Sequence, residues 1–166
     1  MDMKEGLTFV WERKAILEIL GIALLLNMLA SPAFSLMPLL VIQHFNGGAI
    51  QLAWLQSSSG AGLIMGGILL GVWGGFKRRV DTAFTALMAS GLGIIGIGLA
   101  PGNMIWTAIV SIFVFGFMNS VANGSFFSVI QTVIPNELQG RVFTLVMSSS
   151  VAVMPLGLAM AAPVAE

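Results

Sequence analysis

The chain has 166 residues, of which 57% are hydrophobic and only 8% charged, and its formal net charge is zero. A soluble domain carries about 25% charged residues and needs a polar shell that this composition cannot build. The neutral balance offers no basic field for nucleic acid, and without cysteine neither a disulfide framework nor a thiolate metal site can form.

Residues 1–14 mix Asp2, Glu5 and Glu12 with Lys4, Arg13 and Lys14. That pattern lacks the basic run, short apolar core and cleavage site of a signal peptide, and the segment does not read as one. Beyond it, charges fall in clusters separated by apolar stretches. A spanning helix needs about 20 predominantly apolar residues, and five stretches qualify: about 15–42, 50–76, 82–100, 104–134 and 142–162. Strands of a membrane barrel would be about 10 residues long and alternating. These stretches are longer and continuous, so the expected fold is an all-α membrane bundle of five helices.

The first span carries Glu18, Asn27, Ser31, Pro32 and Pro38. Glu18 lies one turn past Lys14, about 6 Å along a helix. Pairing with Lys14 is its bland role, and a proton site is the sharper one. The turn Asn46-Gly47-Gly48 follows, beside His44, the only histidine. A loop histidine and a proton or ligand site are both open for it. No second histidine or nearby carboxylate makes a metal site.

The second span is rich in glycine, and the pairs Gly62/Gly66 and Gly67/Gly71 are spaced for close helix packing in lipid. It ends at the charged turn Lys77-Arg78-Arg79-Val80-Asp81. In the third span, Gly91-Leu92-Gly93-Ile94-Ile95-Gly96 matches a dinucleotide fingerprint. It lacks the preceding strand and the acid about 20 residues on, so no cofactor is expected. The sequon Asn123-Gly124-Ser125 lies mid-span, out of reach of glycosylation.

The fourth span follows the turn Pro101-Gly102-Asn103 and holds Ser111, Phe115, Asn119 and Asn123 at four-residue steps, continued by Phe126. Asn27, Ser31 and Ser35 form a similar series on the first span. Two accounts compete for these amides: helix-to-helix hydrogen bonds, at about 0.6 kcal/mol each, or a polar cavity for a largely apolar ligand. No Ser/His/acid set can be assembled, since Ser57–Ser59 and Ser148–Ser150 lack a base. The chain is therefore not expected to be an enzyme.

Orientation follows from Lys and Arg. With five alternating spans, Lys4, Arg13, Lys14, Lys77, Arg78, Arg79 and Arg141 all fall on one side. The N-terminus is expected in the cytoplasm. Trp11 and Trp73 then lie near the inner surface, and Trp54 and Trp106 near the outer one.

Several runs resemble the major facilitator superfamily of transporters, in particular its macrolide-efflux and siderophore-exporter-like branch. They are EGLTFVWERK at 5–14, SLMPLLV at 35–41, GAGLIMGG at 60–67, GVWGGFKRRV at 71–80, PNELQGRVFTL at 135–145 and PLGLAMAAPVAE at 155–166. The resemblance implies helices seven to eleven of a twelve-helix transporter, so that 1–14 is the cytoplasmic linker before helix seven and 15–166 is a partial C-terminal six-helix bundle. Its partners would be the lipid bilayer, an N-terminal half and a small-molecule substrate. It also implies proton-coupled export of an amphipathic or drug-like molecule by alternating access in the cell membrane, with the first and fourth spans on the central cavity. The substrate candidates are then Asn27, Ser31, Phe115, Asn119, Asn123 and Phe126, and Lys77, Arg78 and Arg79 form the family's cytoplasmic loop motif. One departure stands out: Gly74-Gly75-Phe76 replaces the Asp-Arg pair before that basic cluster. The alternative from another class is a stand-alone membrane scaffold or assembly protein, or a non-functional relic, without transport activity.

Overall fold

The computed structural model describes residues 34–134, together with 21, 31, 139–140, 142–144 and 148. The chain divides into two compact units, Pro38–Val133 on the one hand and Met1–Met37 with Ile134–Glu166 on the other. In the second of these, the described contacts are local. Ser35 Oγ donates to the Ser31 carbonyl, Gln139 Nε2 to that of Ile134, and Thr144 Oγ1 to that of Gly140.

The helices are α1 (Met37–Gln43), α2 (Ala49–Trp73), α3 (Arg79–Gly98) and α4 (Ile105–Val133). Among the described residues, α2, α3 and α4 are long and apolar enough to cross a membrane. They match the second, third and fourth expected spans. Of the first span, α1 is the described C-terminal part, and most of the fifth lies outside the described residues. Trp11, Lys4, Arg13, Lys14 and Arg141 also lie outside them.

The boundaries have local causes. The Gly48 N–H, orphaned at the start of α2, donates to Gln51 Oε1 at 2.9 Å. Asn46 before it has φ 49°, a left-handed conformation that Asn tolerates better than most side chains. At the other end, Gly74 and Gly75 have φ of 74° and 82°. These two left-handed residues stop α2 at Trp73, three residues before the expected end. Thr82, almost fully buried, accepts the Phe76 N–H at 2.8 Å and ties the turn to α3. At the opposite end of the bundle, the His44 Nε2–H donates to the Ala100 carbonyl at 2.8 Å, joining the loop after α1 to the loop after α3.

The side-chain distribution is that of a protein whose solvent is lipid. Large apolar residues point outward: Ile64, Ile68 and Val72 on α2, Met88, Leu92 and Ile95 on α3, and Leu99 just after it. Small residues point inward: Gly62 and Gly66 on α2, Ala86, Ser90 and Gly93 on α3, Ala108 and Ala122 on α4. Lipid tails give no hydrophobic drive between helices, so close backbone packing must hold them together. A Cβ at Gly62 would overlap the Phe113 carbonyl oxygen, and one at Gly66 that of Phe117. Gly116 packs in the same way on Ser59, and Ser58 Oγ donates to the Ile109 carbonyl at 2.9 Å. On the other side of α4, Gly93 meets Phe115 and Gly96 meets Ser111. Contacts between α2 and α4 advance together along both helices, so these two run parallel and α3 runs antiparallel to them. Trp54 and Trp106 stack at 5.7 Å, and Trp73 meets Phe76 edge-on at 4.9 Å at the opposite end of α2.

Candidate functional site

The α2–α4 contact changes character along its length. At Gly62 and Gly66 it is backbone against backbone. At Gly67 the nearest atom is the Ser120 hydroxyl, at Gly124 it is the Leu70 side chain, and at Gly71 there is nothing within 4 Å. The two helices therefore part toward the α2–α3 turn, and a groove of about 710 Å³ opens between them. Leu63, Gly67, Leu70, Gly71 and Gly74 form its α2 wall. Asn119, Ser120, Asn123, Gly124, Ser125, Phe127 and Ser128 form its α4 wall, and Arg79 of α3 lines it at the turn end. From Asn119 to Ser128 the wall runs about 13 Å at 1.5 Å per residue.

The polar groups in the groove are amides and hydroxyls. Asn123 Nδ2 donates to both the backbone oxygen and Oδ1 of Asn119, each at 2.9 Å. This uses one amide group from each residue and leaves the Asn119 amino group and the Asn123 carbonyl oxygen for another partner. Ser125 is buried at 3% exposure, and its hydroxyl has no hydrogen-bond partner among the described residues. A buried hydroxyl left unpaired costs about 1–3 kcal/mol. Among the described residues, Arg79 is the only ionisable side chain lining the groove. Such a surface can hold a ligand by shape, hydrogen bonds and one positive charge. Among the described residues that line it there is no nucleophile–base pair.

The candidates named from sequence are distributed unevenly. Asn119 and Asn123 come together on the groove. Phe115 is buried against Gly93 of α3, and Phe126 is half-buried outside the lining. The cause is helical drift: four residues advance about 400°, so each step of the stripe turns about 40°. Over the three steps from Ser111 to Asn123 the stripe rotates about 120°, from the α3 face onto the groove. Ser31 belongs to the other unit, where its carbonyl accepts Ser35 and its own hydroxyl is buried without a partner among the described residues. Asn27 and Glu18 lie outside the described residues. Lys77 and Arg78 are exposed in the turn, while Arg79 opens α3 and reaches the groove.

Sequence reasoning missed Arg79 as a groove residue, along with Ser125, Ser128 and Phe127. The signal available was the series Ser120, Gly124 and Phe127 at i, i+4 and i+7, which marks one face of α4. That face gains meaning only once α2 is known to run parallel beside it.

The chain matches the Major Facilitator Superfamily over residues 2–158. It is 27% identical to macrolide efflux protein A of Streptococcus pyogenes over 165 residues, covering 99% of this chain and 41% of that protein. It is 27% identical to macrolide efflux protein A of Enterococcus faecalis over 157 residues, covering 95% of this chain and 49% of the relative. It is 29% identical to the multidrug efflux pump Tap of Mycolicibacterium fortuitum over 167 residues, covering 98% and 39%. The chain thus spans less than half the length of the curated relatives it matches. No solved structure matches it. With spanning helices built on small-residue contacts and a family match over nearly its whole length, this chain is a multi-pass membrane protein of the major facilitator superfamily.

Proposed function

We propose that the chain forms part of a secondary active exporter and that the α2–α4 groove is a section of its substrate path. The transported molecule is small and amphipathic, and it moves by alternating access between this bundle and an N-terminal half. The observation that carries this reading is the groove itself. Amides and hydroxyls facing hydrocarbon are costly, so a wall bearing Asn119, Asn123, Ser125 and Ser128 suits a water-filled path. The relatives' names, macrolide efflux and multidrug efflux, favour a bulky, drug-like ligand for this protein too. The one-sided distribution of Lys and Arg favours the α2–α3 turn and the N-terminus in the cytoplasm.

The second reading is a scaffold without transport. It is favoured by one observation, that Asn123 already satisfies itself on Asn119 one turn back. Water access separates the two. In the assembled transporter, cysteines placed at Asn119 and Asn123 react with a small polar thiol reagent, and a transported drug protects them. Protection at neither position, with loss of folded protein in Asn119→Ala and Asn123→Ala, would make the amides structural.

A further inference from the structure

We propose that the groove takes an amphipathic ligand bearing a single acidic group, with the acid against Arg79 and the apolar body along the glycine wall of α2. The proposal rests on the reading of the groove as a ligand path and names the class of ligand.

Three independent observations converge. Among the described residues, Arg79 has no ion pair, although it lines the groove, and no carboxylate lines the groove with it. A guanidinium at the mouth of a partly apolar slot favours a carboxylate or phosphate, which it can grip through two parallel hydrogen bonds. It repels an ammonium. Second, the Asn119 amino group and the Asn123 carbonyl oxygen, left over from the hydrogen bonds between these two residues, stand on the α4 wall. They can pair with a ligand's polar group. Third, a Cβ added at Gly71 on the facing wall would meet nothing within 4 Å, which leaves room for the apolar part of a ligand against the α2 backbone. Head group, polar contact and apolar bed thus follow one another along one groove. Lys77 and Arg78, exposed in the adjoining turn, add positive charge at the same end and no competing anion. Asp81 is exposed two residues further along α3, and it does not line the groove.

The acid can come from a solute taken up for export or from an anionic phospholipid of the surrounding leaflet. The chemistry is shared, and the two sources are separable by experiment. The full chain in nanodiscs of phosphatidylcholine is titrated with radiolabelled dodecanoate, dodecanol and dodecyltrimethylammonium. Dodecanoate is expected to bind most tightly. Arg79→Gln weakens it about fivefold, the scale of one exposed ion pair, and leaves dodecanol unchanged. Arg79→Lys retains part of the preference, and rising salt weakens dodecanoate alone. Repeating the titration with phosphatidylglycerol in the disc assigns the source. Competition that disappears in Arg79→Gln assigns the site to the lipid headgroup, and undiminished dodecanoate binding assigns it to a solute. Equal binding of the three probes, or dodecanoate binding indifferent to both Arg79→Gln and salt, overturns the proposal. Because the assay reads binding and not flux, the exporter reading stands or fails separately, on drug efflux by the assembled transporter.

Discussion

Replacing Gly66 by alanine tests the packing that holds α2 to α4, and Gly71 supplies its internal control. Both residues lie within α2, so each substitution to alanine removes the same glycine penalty, about 0.5–1 kcal/mol in favour of the variant. They differ in what the new methyl meets. At Gly66 it overlaps the Phe117 carbonyl oxygen and lies 3.0 Å from the carbonyl carbon and 3.1 Å from Cα. These are backbone atoms, which cannot rotate aside, so the helices must move apart. Overpacking of that kind costs about 1–3 kcal/mol. At Gly71 the methyl meets nothing within 4 Å. The propensity gain cancels in the comparison, so Gly66→Ala should be less stable than Gly71→Ala by about 1–3 kcal/mol. The assay is unfolding of the full chain in mixed micelles by rising dodecyl sulfate, followed by helical circular dichroism and tryptophan emission. Gly62→Ala, which meets the Phe113 carbonyl, should fall with Gly66→Ala. Equal midpoints for the Gly66 and Gly71 variants would refute backbone contact as the source of helix association.

Thr82→Val removes the acceptor of the Phe76 N–H and should cost about 1 kcal/mol in the same unfolding assay, because a nearly buried hydrogen bond is lost at nearly constant volume. Gly74→Ala, forced to keep φ near 74°, should cost about 1–2 kcal/mol. Cysteines placed at Gly47 and Gly102 should react with an impermeant thiol reagent from outside cells, and one at Asp81 should not; labelling at Asp81 in sealed cells would reverse the orientation. In liposomes, the chain alone should show no saturable, gradient-driven drug flux, since alternating access needs two bundles.

How much was legible in the sequence follows from what each signal depends on. Span existence depends on hydropathy alone, so α2, α3 and α4 fall where the apolar stretches place them. The end of α2 depends on backbone conformation, and the double glycine at Gly74-Gly75 could be read as either packing or turn. The structure makes it a turn, with two left-handed residues and a Thr82 clasp. Asn119 and Asn123 were legible as a pair because i, i+4 spacing fixes a shared face. Phe115 was harder to place, because a stripe in strict steps of four does not stay on one face. Arg79 was hidden for another reason. Its cluster is explained so fully by inside-positive topology that nothing in the sequence separates it from Lys77 and Arg78.

The glycines of α2 do not all share one cause. Each glycine inside a helix costs about 1 kcal/mol relative to alanine, and a helix tolerates several only where something offsets them. Gly62 and Gly66 recover that cost through backbone contact with α4. A methyl at Gly71 would meet nothing within 4 Å among the described residues, and Gly71 lines the groove. The groove reading accounts for a small residue there. Gly71→Leu puts an isobutyl group into the groove, with its Cβ free of contact, and it adds helix propensity. It should therefore fold at least as stably as the parent while losing dodecanoate binding and, in the assembled transporter, drug efflux. An unfolded Gly71→Leu variant would mean that the space is filled by protein in the native state. A stable variant with undiminished binding and efflux would mean that the groove lies outside the ligand's path.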